Sequence, residues 1–187
     1  SPDEFLEVWP HVCSGNYEVI DHLMLEVQLI RDNEVINQQL VLNEVAVLGG
    51  PPYKIMGIDL YANGMLATRY QCDGLILATP VGSTAHNLSA GGPILRRRIQ
   101  AVVISPISPH TLTYRPLVDS AETRFELTVT DPGESTSVVV DGRILGQLIP
   151  GDRVLVHRAA RNFRMIAVPG QNDYHTLREK LGWGGSL

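Results

Sequence analysis

Residues 73–93 read DGLILATPVGSTAHNLSAGGP, and this stretch decides how the rest of the chain is interpreted. The apolar run 75–78 predicts a short buried strand, which ends at Pro80 because proline cannot donate a hydrogen bond to a sheet. Gly82 then allows a tight turn, and residues 85–88 predict one or two helical turns. A strand, a glycine turn and a helix start together direct backbone N–H groups and small hydroxyls towards an anion or a nucleotide edge.

Two common nucleotide-binding motifs do not explain this stretch. It contains no G-x-x-x-x-G-K-[ST], and so no P-loop lysine, and no G-x-G-x-x-G. A lone Gly-Ser-Thr turn usually does no more than join a strand to a helix. The residues by themselves therefore indicate a turn suited to a polar ligand, and they do not identify that ligand.

The stretch closely resembles the signature of NAD kinases, which runs approximately D-G-x-x-x-x-T-P-T-G-S-T-A-Y-x-x-S-A-G-G-P. It departs from that signature at Val81, where the family usually has threonine, and at His86, where it usually has tyrosine. Residues 106–117 read PISPHTLTYRPL and resemble a second family pattern, P-I-x-P-H-x-L-x-x-R-P-L. A later D-G-Q of the family corresponds to Asp-Gly followed by Arg143. The resemblance covers the whole chain, but only the second half of an NAD kinase.

The strand pattern and the resemblance predict the same fold class. About ten strand candidates and two helical ones predict a mainly β fold, a multi-stranded distorted β-sandwich with one or two short helices. We expect a single NAD kinase-like C-terminal domain over residues 1–187, a length that suits one core. Residues 1–17 are predicted to be a connector with a short helix around residues 3–8, and residues 173–187 a helix and tail.

Alternating apolar residues predict individual strands. A first strand is predicted over residues 23–29, and a turn at 31–34 leads into a second strand over 35–47, which makes a hairpin. Near the end of the chain, residues 147–149 and 154–156 are predicted to form a last hairpin.

Two polar side chains, Asn43 and Glu44, interrupt the second predicted strand. Adjacent residues of a strand face opposite ways, so both reach one face only if the strand is irregular there. A single glutamate in a strand more often points to solvent. The resemblance instead implies that this pair contacts the dinucleotide, where an amide and a carboxylate can hold ribose hydroxyls or the adenine amino group.

The resemblance implies a larger set of NAD-binding residues around the signature. Thr84 and Ala85 would present a hydroxyl and backbone groups to adenine, and His86 would lie flat against a ring. The complete predicted set is Asn43, Glu44, Lys54, Asp73, Thr84, Ala85, His86, Asn87, Leu88, Ser89, Ser108 and Arg143.

Some of these residues imply self-association. By resemblance, the Asp73 carboxylate binds a ribose or the carboxamide end of the dinucleotide, and Ser108 joins the site, often from a neighbouring subunit. Lys54 occupies a family position that is basic or histidine, whereas Gln71 stands where relatives often have arginine or lysine. We therefore expect a homo-oligomer, a dimer or a tetramer, whose sites are shared between subunits.

The implied activity is phosphorylation of the adenosine 2′-hydroxyl of NAD to give NADP. The donor would be ATP, which brings Mg2+ with it, or polyphosphate. The family's catalytic aspartate lies in a G-G-D-G motif that does not occur in this sequence, so no catalytic residue is assigned. Activity is expected only when the chain is joined to its N-terminal domain. Two alternatives stay open: a non-catalytic nucleotide-binding or regulatory module, and a lipid kinase of the same superfamily, which the T-P-x-G-S-T-A match disfavours.

Composition argues against several other classes. A formal net charge of -5 gives no basic field for nucleic acid, and the one basic run, residues 96–98, is typical of a solvated face or of a position near a phosphate. Cys13 and Cys72 form no C-x-x-C pair, and the six histidines show no metal-binding spacing. No apolar run is long enough to span a membrane. We expect a cytoplasmic protein without a nucleic-acid or membrane partner.

Overall fold

A computed structural model describes residues 2–111, 113–170, 174, 177–178 and 181–182, without the side chains of residues 2–4. Strands dominate the described residues, and the helices are few, as predicted. The elements in chain order are α1 (Pro2–Cys13), β1 (Glu18–His22), β2 (Leu25–Arg31), β3 (Glu34–Val41), β4 (Glu44–Leu48), β5 (Met56–Ala62), β6 (Met65–Cys72), β7 (Gly74–Ala78), a 3₁₀ turn (Gly82–Thr84), α2 (His86–Ser89), β8 (Ala101–Ile107), β9 (Leu117–Ser120), β10 (Phe125–Val129), β11 (Ser137–Val140), β12 (Arg143–Gln147), β13 (Arg153–Arg158) and β14 (Phe163–Ala167).

The chain divides into two compact units, residues 22–163 and residues 1–21 with 164–187. Helix α1 belongs to the smaller unit, where the rings of Phe5 and Trp9 stack 5.3 Å apart. This helix is longer than the predicted one. The prediction that residues 1–187 form a single domain stays a prediction.

The larger unit contains two antiparallel sheets of six strands each. The first sheet has the strand order β3-β2-β13-β10-β5-β6, and the second has the order β12-β11-β4-β7-β8-β9. Apolar side chains from both sheets form one buried cluster, to which β2 contributes Leu25, Val27 and Leu29. The alternation predicted for β2 is therefore confirmed, and so is the mainly β fold with two sheets.

Strand β7 lies in the middle of the second sheet, and all of its residues are buried. One face of the strand joins the main core through Leu75 and Leu77. Its other face belongs to a second apolar cluster with Ile76 and Ala78, against which Leu95 packs. An apolar run without alternation thus predicted a strand that is covered on both sides. Because Leu95 covers the second face, the segment after the signature helix is held against the sheet.

Two predictions about strands are wrong in detail. The predicted strand over 35–47 is interrupted at residues 42–43, so that β3 lies in the first sheet and β4 in the second. The predicted last hairpin does not form, because β12 pairs with β11 whereas β13 pairs with β2 and β10. Between them the Asp152 carboxylate accepts hydrogen bonds from the Ile149 N–H and from Arg31 of the first sheet, and the chain changes sheets at this turn.

Some strands were not predicted at all, namely β1, β9 and β14. They are short, and several of their apolar residues are exposed, so they lack the clear alternation of β2. The helix predicted in the tail falls largely outside the described residues.

Candidate functional site

The bend between β3 and β4 is built from side chains of two distant segments. The Asp141 carboxylate accepts hydrogen bonds from the N–H groups of Leu42 (2.8 Å), Asn43 (2.8 Å) and Glu44 (3.0 Å). Thr79 pairs with two carbonyl groups of the bend. Its hydroxyl donates to the carbonyl of Leu42 at 2.6 Å, and its N–H donates to the carbonyl of Asn43 at 2.8 Å. The irregularity that would allow Asn43 and Glu44 to act together is therefore present.

Gly82 brings the signature turn into direct contact with this bend. A Cβ at position 82 would lie 2.0 Å from the carbonyl oxygen of Asn43 and 2.4 Å from its carbon. The Gly82 N–H also donates to the Thr79 hydroxyl, at 3.1 Å. Glycine is required here because only a residue without a side chain permits so close a backbone approach. Predicted site residues from two segments, 43–44 and 84–86, consequently lie side by side.

Glu44 is buried, with only 8% of its surface exposed. Among the described residues, its carboxylate oxygen Oε2 is buried and has no hydrogen-bond partner. Burial raises the pKa of this carboxyl group and the negative charge of Asp141 raises it further, while the backbone amide of His86 opposes both. The reading in which Glu44 merely points to solvent is wrong. A buried carboxylate oxygen without a partner is costly, and it suits a ligand that brings a hydroxyl or amino donor.

Asn87 braces the signature loop from within. Its side chain is fully buried, and its amide nitrogen donates to the carbonyls of Ser83 (2.9 Å) and Pro93 (3.1 Å). Its amide oxygen accepts a hydrogen bond from the Ser105 hydroxyl at 2.7 Å. A Cβ at Gly92 would lie 2.0 Å from that same oxygen. The Asn87 side chain is thus engaged within the chain, although it was predicted to contact NAD.

The remaining loop residues of the predicted set line the outer side of this arrangement. Thr84, His86 and Ser89 are exposed, and Ala85 and Leu88 are partly buried. Arg143 is also exposed, and it immediately follows the tight β11–β12 turn, in which Asp141 and Gly142 have φ angles of 46° and 80°.

Three predicted residues lie away from the bend: Asp73 and Ser108 are at the opposite end of the second sheet, next to the paired residues Gly74 and Ile107, and Lys54 lies two residues before β5, whose first residue pairs with Cys72. Glu44 begins β4 and pairs with the last residue of β7, whereas the last residue of β4 pairs with Gly74. Four residues of strand separate the two ends, which amounts to about 14 Å at about 3.4 Å per residue. Within one copy of the chain, the structure does not bring these three residues together with the bend.

The Asp73 end has its own local order. The Asp73 N–H donates to the carbonyl of Ile107, and the Gly49 N–H donates to the carbonyl of Asp73. The His110 ring nitrogen Nε2 lies 3.7 Å from the Asp73 carboxylate, and both side chains are about half exposed. Ser108 is exposed and has a φ angle of 45°.

Sequence reasoning missed Asp141, Ser83 and Ser105 as parts of this site. Asp141 was noted only as part of the late D-G-Q resemblance, and no local pattern links it to residues about a hundred positions earlier. In the part of the chain that the structure describes, no group of three His, Cys, Asp or Glu side chains could hold a metal ion. The described helices include none that is long and apolar enough to cross a membrane.

Residues 42–168 match the family model described as the ATP-NAD kinase C-terminal domain, which is more than half of the chain. The chain belongs to the NAD kinase family. The matched segment includes the bend, the signature loop and the Asp141 turn, so the geometry above lies within the part that defines this family. The family resemblance read from the sequence is confirmed.

Relatives and solved structures agree with this assignment. Over all of its 187 residues the chain is 74% identical to the NAD kinase of Rhodopirellula baltica, of which it covers 60%. It matches the crystal structure of yeast NADH kinase complexed with NADH at a TM-score of 0.88 and 28% identity, covering 99% of this chain and 55% of that one. It also matches the crystal structure of an NAD kinase from Archaeoglobus fulgidus in complex with ATP, at a TM-score of 0.75 and 27% identity. This match covers 99% of this chain and 68% of that one. The chain spans about 60% of the length of the curated relatives that it matches.

Proposed function

We propose that this chain is the NAD-binding part of an enzyme that phosphorylates the adenosine 2′-hydroxyl of NAD to give NADP. The proposal rests mainly on Glu44, whose buried carboxylate oxygen has no hydrogen-bond partner among the described residues. Adenosine carries ribose hydroxyls and an exocyclic amino group, both of which donate hydrogen bonds to a carboxylate. The exposed residues Thr84 and His86 lie on the turn that contacts the same bend, and they complete a surface for a nucleoside.

Each residue of the bend and the loop has a distinct part in this proposal. Asn43 and Glu44 hold the ribose hydroxyls or the adenine amino group. Thr84 and Ala85 offer a hydroxyl and backbone groups to the base, and the His86 ring stacks on it. Arg143 can donate to an anionic group but cannot accept a hydrogen bond, so its contact differs in kind from that of the usual glutamine.

The chemistry of the reaction is divided between this chain and the rest of the enzyme. Transfer of a γ-phosphoryl group needs oriented substrates, charge neutralisation and a group that takes the proton of the attacking hydroxyl. This chain supplies the orientation by fixing the adenosine ribose, and Mg2+ enters with ATP as part of the substrate. The proton acceptor is the aspartate of a G-G-D-G motif, which this sequence does not contain.

We further propose that the site is completed by a second copy of the chain. Asp73 and Ser108 lie about 14 Å along the sheet from Glu44, at about 3.4 Å per strand residue. A symmetric pair could place them beside the bend of its partner. Sedimentation analysis of the full-length enzyme is expected to show a dimer or a tetramer, and a strictly monomeric full-length enzyme with full activity would contradict this arrangement.

The NAD site can be tested by calorimetric titration of NAD into the His86→Ala variant. Loss of the stacking ring is expected to weaken binding about ten-fold, which corresponds to about 1.4 kcal/mol. His157→Ala is the matched control, because His157 lies on β13 in the first sheet, and it should change the affinity less than about two-fold. Wild-type protein that fails to bind NAD would refute the proposed function, whereas unchanged affinity in His86→Ala would refute only the stacking role.

A non-catalytic binding module of the same superfamily is the second candidate, because the unpaired Glu44 carboxylate oxygen would serve nucleotide binding equally well without a phosphoryl transfer. The coding sequence upstream of Ser1 distinguishes the two candidates. A G-G-D-G motif there, together with formation of NADP from NAD and Mg-ATP by the joined protein, supports the kinase. Absence of the motif, with NAD binding retained, supports the module.

A further inference from the structure

Each backbone N–H and C=O group of residues 42–44 has a hydrogen-bond partner, and most of these partners are side-chain atoms. Three consecutive N–H groups, of residues 42–44, donate to Asp141, and two carbonyl groups accept from Thr79. The carbonyl of Glu44 in turn accepts the N–H of Asp141 at 3.0 Å. Backbone groups removed from a sheet normally lose their partners, and that loss is costly when they are buried. Here one carboxylate takes the place of a neighbouring strand.

We propose that Asp141 is a positioning residue of the nucleotide site, holding the bend at residues 42–44 so that Asn43 and Glu44 act on one ligand. This inference rests on the proposed function and adds to it a residue that has no assigned role. Asp141 need not touch NAD itself. It acts through the backbone that carries the two binding side chains.

The chemistry of the contact requires a carboxylate. Its oxygen Oδ1 accepts two N–H groups and Oδ2 accepts the third. Asparagine would keep one acceptor oxygen and set an NH2 group, which cannot accept, against at least one of these donors. The tight β11–β12 turn directs the side chain, since Asp141 and Gly142 both have positive φ angles.

The chain offers a matched control in Asp152. Its carboxylate also accepts three hydrogen bonds, one from the Ile149 N–H at 2.9 Å and two from Arg31 at 2.9 and 2.8 Å. It lies at the turn before β13, and none of its hydrogen-bond partners belongs to the bend or the signature loop. Asp152→Asn therefore weakens a comparable set of hydrogen bonds without touching the bend.

Affinity for NAD is the first measurement. Asp141→Asn is expected to weaken NAD binding about ten-fold or more, because at least one part-buried donor of the bend loses its acceptor. Asp152→Asn should stay within about two-fold of wild type, while thermal unfolding shows that both variants are folded and less stable. Wild-type affinity in folded Asp141→Asn, or an equal loss in Asp152→Asn, would overturn the inference.

The pH dependence of NAD affinity tests separately whether Asp141 acts on the Glu44 carboxylate. Among the described residues, two groups act on the pKa of the Glu44 carboxyl besides burial, namely the charge of Asp141 on the β11–β12 turn and the His86 amide at the start of α2. Removing the Asp141 charge makes ionisation of Glu44 easier, so the acid midpoint of NAD binding is expected to shift to lower pH in Asp141→Asn. The same titration of Glu44→Gln identifies the part of the profile that Glu44 causes. An unchanged midpoint in Asp141→Asn would count against the inference.

Amide hydrogen exchange separates this inference from the proposed function, because it requires no ligand. The N–H groups of Leu42, Asn43 and Glu44 are expected to exchange faster in Asp141→Asn than in wild type. In Asp152→Asn the same groups should exchange at the wild-type rate. If wild type binds no NAD but these amides respond, the proposed function fails and the bend is still held by Asp141. If wild type binds NAD but the amides do not respond, the inference fails alone.

Discussion

The two sheets treat their buried carboxylates in opposite ways. In the first sheet Asp59 forms two hydrogen bonds with Arg69, and beside that sheet Asp152 does the same with Arg31. In the second sheet Glu44 has a buried oxygen without a hydrogen-bond partner among the described residues. The first two carboxylates are paired within the fold, whereas the third has an oxygen that the proposed nucleotide ligand would pair.

The pKa directions follow the same division. Hydrogen bonds from Arg69 lower the pKa of Asp59 despite its burial. Burial tends to raise the pKa of Asp152, but Arg31 and the Ile149 amide outweigh it, so the net shift is downward. The pKa of Glu44 is raised, by burial first and then by Asp141. The paired carboxylates of Asp59 and Asp152 therefore stabilise the folded chain. The Glu44 carboxylate, which is proposed to bind NAD, destabilises it.

The largest expected effect comes from Gly82→Ala, which would break the contact between the loop and the bend. The added Cβ would meet backbone atoms of Asn43 at 2.0 to 2.7 Å, and backbone cannot rotate away as a side chain can. We expect a loss of about 3 kcal/mol or more in the free energy of unfolding, together with loss of NAD binding. Urea denaturation and calorimetry would measure both quantities.

Gly133→Ala is the control for that substitution. Gly133 lies in the turn before β11, and a Cβ there would meet only the Thr136 hydroxyl at an ordinary 3.7 Å. Its stability should stay within about 0.5 kcal/mol of wild type. Equal stability of the two variants would show that the close approach at Gly82 has no energetic consequence.

Glu44→Gln sharpens the comparison because it should improve stability while it harms binding. The glutamine side chain would carry no charge to bury, and its amide would compete poorly as an acceptor for ligand hydroxyls. NAD affinity is expected to fall about ten-fold. Calorimetry would check this loss, and an affinity equal to that of wild type would remove Glu44 from the binding site.

The pH dependence of the free energy of unfolding shows whether the charge of Glu44 stabilises or destabilises the folded chain. Its raised pKa means that the folded chain binds this proton more tightly than the unfolded chain does. Wild-type stability without ligand should therefore fall as pH rises from the ordinary glutamate value of 4.5 through the raised pKa. Glu44→Gln should lack this fall and be the more stable protein at neutral pH. Denaturation at several pH values tests this, and a less stable Glu44→Gln at neutral pH would contradict it.

Asp59→Asn is expected to have the smallest effect. The contribution of Asp59 to stability changes with pH below its ordinary pKa, whereas that of Glu44 changes above its ordinary pKa. The pKa of Asp59 is lowered below 3.8 by Arg69, so its stabilising contribution is present above that pH and is lost as pH falls through the folded value. Arg69 is half exposed, so solvent screens the pair and the loss should be about 1 kcal/mol at most. NAD affinity should not change. A ten-fold loss of affinity would show that the first sheet also shapes the site.

Local patterns predicted much of this molecule. The alternation in β2, the turn that joins β2 to β3 in a hairpin, and the end of β7 just before Pro80 all appear in the structure. These features depend on residues that are neighbours in sequence. The same holds for the signature loop, whose glycines and small hydroxyls carry the family resemblance within one continuous stretch.

Long-range choices could not be predicted from local patterns. Nothing in residues 147–156 shows whether two strands joined by a turn pair with each other or enter different sheets, and the hydrogen bonds of Asp152 with Arg31 come from 121 positions away. The bend at residues 42–43 depends in the same way on Asp141. In the proposed arrangement the roles of Asp73 and Ser108 depend on a second copy, which one sequence does not describe.

The close fit of Gly82 against Asn43 also bears on protein engineering. A designer who wished to transplant the signature loop into another β-sandwich would have to carry three separated segments together: the loop, the bend at residues 42–44 and the turn with Asp141. The loop alone would arrive without the surface that shapes it. In this chain, the recognisable motif is therefore not a portable module, and chimaeras should be designed around all three segments.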